Sequence, residues 1–227
     1  MTVMLLAAGR GERLRPLTDE LPKALVEVAG VSLLERHLQR LGEAGAQTVV
    51  INLGWQGEQI VQRIGSGRRF GLQVVYSPEY DQPLETGGGI FRALPLLGQS
   101  EPFWVINADI VCDFALHDVP LSATTLAHLV LVANPAYRDH GDFALDGDRT
   151  VNAQEAPLTY SGIAFYRPEF FAGCSGGRFS VVPLLQRFAE EGRLSGEVHS
   201  GLWADVGTPQ RLAAANALLQ SEAVAPG

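Results

Sequence analysis

Thr2-Val3-Met4-Leu5-Leu6-Ala7-Ala8-Gly9-Arg10-Gly11-Glu12-Arg13-Leu14-Arg15-Pro16-Leu17-Thr18, followed by Pro22-Lys23-Ala24-Leu25, is the stretch on which the fold turns. Residues 2–7 are a continuous apolar run of strand length, and they lead directly into glycines. Glycines after a buried strand let backbone amides approach phosphate oxygens, and a neighbouring arginine and lysine add positive charge. The run therefore predicts a first core strand that ends in an anion site. It is not a Walker loop, because the lysine follows the glycines at a distance and no Gly-Lys-Ser/Thr occurs. It also lacks Gly-x-Gly-x-x-Gly. Without a basic leader, and too short to span a bilayer, the amino terminus reads as core rather than as a targeting segment.

Working outward, further strands are predicted at 48–52, 72–76 and 103–107. Between the first two strands, Leu33, Leu34, His37, Leu38, Leu41 and Ala44 recur at helical spacing, and Gly45 supplies a stop. A second helix is predicted over 55–64, ahead of Gly65. A third opens at Gly87-Gly88-Gly89, with Thr86 as its cap, and carries Ile90, Phe91, Leu94 and Leu97. This βαβαβαβ order predicts a parallel sheet covered by helices, with ligands outside the carboxyl ends of its strands. Beyond Asp109 the pattern changes to strands at 126–133, 142–146 and 160–166, which reads as a mixed extension of the same sheet. Helices are predicted at 181–191 and 209–219, and 221–227 reads as a frayed tail. One domain over 1–220 is expected.

The 227 residues are 46% hydrophobic and carry a formal charge of −8. Such an acidic chain excludes general affinity for nucleic acid or an anionic membrane, so a phosphate site must be local. Cys112 and Cys174 stand far apart with no zinc spacing, which excludes a disulfide framework and fits the cytoplasm. The five histidines are scattered. Only His140 falls in a predicted substrate loop, and no Ser-His-Asp or Cys-His set emerges.

Two carboxylates stand where a metal could use them. Phe103-Trp104-Val105-Ile106-Asn107-Ala108-Asp109 is a buried strand running into an Asp, and Trp203-Ala204-Asp205-Val206-Gly207-Thr208 places an Asp before a helix start. Mg2+ takes oxygen ligands and few protein carboxylates. Taken singly, Asp109 also reads as the cap of a turn, and Asp205 as support for the following helix.

The complete run from Leu6 to Lys23 resembles the sugar-1-phosphate nucleotidylyltransferase family, whose members make nucleotide sugars. The resemblance extends to about Leu219. It implies a Rossmann-like three-layer α/β/α fold with a central mixed, mostly parallel sheet. It further implies that a nucleoside triphosphate and a sugar 1-phosphate combine with release of pyrophosphate. The amides around Ala8, Gly9 and Gly11 would lie against the nucleotide, Arg13 would bind the departing pyrophosphate, and Lys23 would sit between the α-phosphate and the incoming sugar phosphate. With Asp109, Arg13 and Lys23 form the implied catalytic set, and Asp109 and Asp205 would hold Mg2+. In the family the loop Leu84-Glu85-Thr86-Gly87 borders the base, so Glu85, Thr86 and nearby Ser77 are nucleotide-binding candidates. Glu85 alone cannot tell uracil from guanine.

On the sugar side the candidates are Asn107, Gly141, Glu155, Ser161 and Gly162. Many relatives carry an acid where this chain has Asn107, and several carry Glu-Lys-Pro where it has Glu155-Ala156-Pro157, so one cation is absent. The short length and the Glu85–Gly89 loop look most like the branch that uridylates N-acetylmuramate 1-phosphate in cell-wall recycling, which favours UTP. Guanylyl transfer to mannose 1-phosphate and thymidylyl transfer to glucose 1-phosphate are the alternatives within the class. A non-catalytic nucleotide-sugar sensor is the alternative outside it.

Overall fold

The computed structural model describes residues 1–79, 82–98, 100–151 and 156–224. Its strands are β1 (Thr2–Leu6), β2 (Glu27–Val28), β3 (Val31–Ser32), β4 (Thr48–Leu53), β5 (Gln73–Pro78), β6 (Phe103–Asn107), β7 (Ile110–Cys112), β8 (Ala127–Ala133), β9 (Ala144–Asp146), β10 (Arg149–Val151), β11 (Leu158–Tyr166), β12 (Leu194–Val198) and β13 (Trp203–Asp205). Its helices are α1 (Leu17–Glu20), α2 (Leu33–Glu43), α3 (Gly57–Ile64), α4 (Glu85–Leu97), α5 (Val182–Glu190) and α6 (Pro209–Val224). Among the described residues no helix is long and apolar enough to cross a membrane.

The central sheet has the order β5-β4-β1-β6-β11-β8-β12-β10-β9. β5, β4, β1 and β6 run parallel. β11 is antiparallel to both its neighbours, and β12 returns parallel to β8. The chain leaves β1 towards β4 and β5, then crosses back to place β6 on the other side of β1. Such a reversal opens a crevice at the carboxyl ends of the strands, where ligands bind in open α/β sheets.

Alternation along β1 shows why both faces are covered. Val3 and Leu5 join Leu34, Leu38 and Ile60 of α2 and α3 on one face. Met4 joins Ile90 and Ala93 of α4 on the other, with Leu185 and Phe188 of α5 in the same core. Ser32 caps α2 by accepting from the Glu35 amide, and Gly45 ends it at φ 75°. α6 packs Ala215 into a smaller core with Val28, Val111 and Val206.

Several features depart from the sequence reading. The interior strand β12 is added beside β8, and the two-stranded sheet β13-β7 is separate from the main one. Strand β9 is shorter than predicted. Thr86 does not cap α4; the helix begins at Glu85, and the Thr86 hydroxyl accepts from the Val181 amide at 3.0 Å, tying α4 to the start of α5. The last helix continues to Val224, through part of the predicted tail, because neither glycine nor proline interrupts the chain before Pro226.

Candidate active site

The crossover at β1 leaves a cavity of about 910 Å³, lined by the glycine-rich loop, Lys23, the ends of β4 and β6, the start of α4, and Gly207. The chain enters it from β1. Gly11 takes φ 74°, and a Cβ there would come within 3.0 Å of the Lys23 stem, so the loop can fold directly over that lysine. The Thr18 hydroxyl closes the turn by donating to the Gly11 carbonyl at 2.8 Å. At Gly9, no atom lies within 4 Å of where a Cβ would stand, so its face is open.

Three side chains from the β4–α3 connection and the first turn of α3 pin the outer part of this loop. Trp55 Nε1, Gln56 Nε2 and Gln59 Nε2 donate in turn to the carbonyls of Thr18, Asp19 and Glu20 at 3.1, 2.8 and 2.9 Å. These are terminal carbonyls of a one-turn helix that its own backbone leaves unsatisfied. The Arg10 guanidinium lies over the Trp55 ring, 4.1 Å from its centroid.

Beneath the loop runs a buried relay. The Ala7 amide donates to Asn52 Oδ1 at 2.7 Å, Asn52 Nδ2 donates to Glu79 Oε1 at 2.8 Å, and the Leu84 amide donates to Glu79 Oε2 at 3.2 Å. A Cβ at Gly89 would sit 2.7 Å from Glu79 Oε1, so only glycine lets α4 close on this pair. Burial raises the Glu79 pKa against those hydrogen bonds. The relay joins the end of β1 to the loop that opens α4, two segments 77 residues apart, and fixes their separation across the cavity. Sequence reasoning missed Asn52 and Glu79. The available signal was a polar side chain at the carboxyl end of each of two adjacent parallel strands.

Lys23 donates to Asp109 Oδ2, and the lysine side chain is only 12% exposed. Asp109 follows β6, and its carbonyl accepts from the Val206 amide at 2.8 Å. Its neighbour Ile110 pairs with Asp205 across β7 and β13. The backbones at the two predicted metal carboxylates are therefore joined, 96 residues apart in sequence, by a two-stranded sheet the sequence reading did not anticipate; Asp109 lines the cavity, and Asp205 stands beside Gly207 of its wall. Asp205 accepts from Tyr137 OH on one oxygen and from Arg211 Nη1 at 2.5 Å on the other. Desolvation, followed by the adjacent Asp205 charge, pushes the Tyr137 hydroxyl up to about 12, so the phenol is the donor.

The predicted residues divide clearly. Ala8, Gly9, Gly11, Arg13, Lys23, Glu85, Thr86, Asn107 and Asp109 all line the cavity. Glu85 holds φ 60°, left-handed for a residue with a Cβ, and its carboxylate pairs with Arg178 Nε at 2.8 Å. Ser77 does not reach the cavity: it is buried in β5, registered against Asn52. Ser161 is also structural, its hydroxyl donating to the Val130 carbonyl at 2.7 Å and accepting from the Ile163 amide at 3.1 Å. Gly162, at a bulge with φ 88°, would place a Cβ 2.6 Å from Asn107 Nδ2, so it makes room for Asn107 rather than for a ligand. Gly141 packs against the carbonyls of Ala156 and Leu158, and a Cβ would meet them at 2.6 and 2.4 Å. Glu155 lies outside the described residues, and Ala156 is buried without contributing charge.

Known proteins resemble this chain over nearly its whole length. It is 46% identical over 227 residues to the N-acetylmuramate alpha-1-phosphate uridylyltransferase of Neisseria meningitidis serogroup B (strain ATCC BAA-335 / MC58), covering 96% of this chain and 98% of that one. It is 38% identical over 231 residues to the protein of the same name from Caulobacter vibrioides, covering 95% and 96%. The solved structure of HddC from Yersinia pseudotuberculosis shares the fold, with a TM-score of 0.77 at 21% identity over 96% of this chain and 99% of that one. The family match runs over residues 2–144, from β1 through the glycine-rich loop, Lys23 and Asp109 into the second half of the sheet, and on this ground the chain belongs to the nucleotidyl transferase family.

Proposed function

We propose that this chain transfers a uridylyl group from UTP to N-acetylmuramate 1-phosphate, releasing pyrophosphate, in the cytoplasm and in the service of cell-wall recycling. The observation that carries the reading is the near full-length similarity to two relatives of that name, combined with a cavity that holds Lys23 against Asp109.

A phosphate oxygen of the sugar 1-phosphate attacks the α-phosphorus of UTP, the bond from that phosphorus to the bridging oxygen breaks, and pyrophosphate leaves with the electron pair. The attacking and leaving oxygens lie in line, and the charge is spread over phosphoryl oxygens, so positioned cations serve and no protein nucleophile is required. Lys23 stands at the α-phosphate, and Arg13 receives the departing pyrophosphate. The open amides at Ala8, Gly9 and Gly11 hold the triphosphate. Glu85 and Thr86 border the base, and Asn107 faces the sugar.

The donors fit Mg2+: Asp109 just before β7 and Asp205 on its partner β13, oxygen ligands only, each already holding a cation of the chain. Among the described residues no hydrogen bond reaches the second oxygen of Asp109. When bound between Asp109 and Asp205, Mg2+ would neutralise charge on the phosphoryl oxygens. Retention of Arg13, Lys23, Asp109 and Asp205 together favours an enzyme over a sensor, since a sensor could lose this charged set without losing its fold.

The test is pyrophosphate release with magnesium for UTP, dTTP, GTP and CTP, each paired with N-acetylmuramate, N-acetylglucosamine, glucose and mannose 1-phosphates. UTP with N-acetylmuramate 1-phosphate is the expected productive pair. Another productive pair reassigns the substrates, and silence throughout overturns the activity.

A further inference from the structure

Arg211 lies in the first turn of α6, outside every motif that the sequence marks for chemistry. Its Nη1 donates to Asp205, and its guanidinium lies 3.8 Å from the centroid of the Tyr137 ring. The side chain is three-quarters buried. Holding a long cation this firmly takes two side chains from distant elements, Tyr137 after β8 and Asp205 in β13.

Gly207 shows what the arrangement faces. This glycine lines the cavity, and the position a Cβ would take there lies 3.1 Å from Arg13 Nη2 and 3.2 Å from Arg211 Nη1. Asp205 Oδ2 is 3.1 Å from the same point. Two guanidinium groups and one carboxylate therefore crowd against Gly207 at the cavity wall. A guanidinium presents a planar fork of donors that matches a phosphate. Arg13 lines the cavity and makes no ion pair among the described residues, so two arginines stand against one carboxylate at this glycine.

We propose that Arg211 is a substrate-binding residue: beside Gly207 its guanidinium forms the cradle for the phosphate of the sugar 1-phosphate, while Arg13 keeps the pyrophosphate. This rests on the proposed reading that the second substrate is a sugar 1-phosphate. The choice between the two substrates follows from where the arginines originate. Arg13 belongs to the glycine-rich loop and Arg211 to the carboxyl-terminal helix, backed by the connection after β8. An in-line displacement brings the two substrates to the α-phosphorus from opposite sides, so the cation remote from the glycine-rich loop serves the incoming phosphate. The free protein uses Asp205 to hold the guanidinium ready, as it uses Asp109 to hold Lys23.

The experiment compares wild type with Arg211→Gln, Arg211→Lys and Gly207→Ala, each first checked for native circular dichroism. Steady-state kinetics with UTP and N-acetylmuramate 1-phosphate varied separately is joined by calorimetric titration of the sugar 1-phosphate alone, which needs no turnover. Arg211→Gln is expected to raise KM for the sugar phosphate by about tenfold or more, with KM for UTP within about twofold. Arg211→Lys should be intermediate and Gly207→Ala, which fills the cradle, should resemble Arg211→Gln. Titration should show the same loss of affinity. An equal rise in both KM values, a rise confined to UTP, or unchanged affinity for the sugar phosphate overturns the assignment. Failure of the functional reading is separate: it appears in wild type, as absence of pyrophosphate release, while the titration still reads Arg211.

Discussion

Lys23 and Glu85 carry different kinds of constraint. The lysine is pre-positioned by sterics from above, where Gly11 admits its stem, and by charge from below, where Asp109 accepts its hydrogen bond. Glu85 instead holds a left-handed backbone at the cavity edge, which costs a residue with a Cβ about 1–2 kcal/mol. Its exposed pair with Arg178 returns little. Replacing Glu85 with glycine is therefore expected to leave thermal stability equal to or above wild type while raising KM for UTP, since the carboxylate at the base loop is lost. A clear fall in melting temperature would show that the pair, rather than the backbone, dominates. His37 is a further residue-scale case. Burial lowers its pKa from 6.5 to about 4, so between those values the unfolded chain binds a proton that the folded chain refuses. Stability should be complete above pH 6.5 and fall as the pH drops towards 4, by at most about 3 kcal/mol. Urea midpoints at pH 7 and pH 5 should separate more in wild type than in His37→Leu; an equal separation would remove His37 as the cause.

At the scale of elements, the Asn52–Glu79 relay couples the end of β1 to the start of α4. Asn52→Ala strips the partner from the buried Ala7 amide and from one oxygen of Glu79, which should cost about 2–3 kcal/mol and raise KM for the triphosphate as both loops loosen. Denaturant unfolding showing a loss below about 0.5 kcal/mol would mean the relay is dispensable. Here lies the boundary of what the sequence makes legible. Apolar runs and glycines mark β1, β4, β5 and β6, because a strand buried on both faces must be apolar throughout. They do not reveal which way a polar side chain on such a strand points. Ser77 and Ser161 therefore read as ligand contacts, yet Ser77 is buried in β5 and Ser161 spends its hydroxyl within the sheet, while Asn52 and Glu79, which no motif marks, form the floor of the site. β12 escapes notice because Leu194-Ser195-Gly196-Glu197-Val198 is short and mixed, and its pairing partner β8 lies more than 60 residues earlier. Arg211 escapes because an arginine in a surface helix is ordinarily solvated.

Across the whole molecule, the sheet divides the labour. Its parallel half, reversing at β1, supplies the glycine-rich loop, the loop at Glu85 and Asp109. The antiparallel half, with β13 and α6, delivers Asp205, Tyr137 and Arg211 from the other side. The strands β1, β4, β5 and β6 and the helices between them were readable from apolar runs and helical spacing, whereas α1 and the β2-β3 hairpin were not. The junction of Asp109 with Asp205 was readable only through the family resemblance, since it depends on a three-residue pairing between distant segments. The central claim is that this junction, with Lys23 at its centre, carries nucleotidyl transfer. It is tested most directly by pyrophosphate release from UTP and N-acetylmuramate 1-phosphate, measured side by side for wild type and Lys23→Ala, with circular dichroism to show that both are folded. The account predicts rapid release by wild type and a fall in kcat of about 100-fold or more in a folded variant. A folded Lys23→Ala protein turning over within a few-fold of wild type would contradict it.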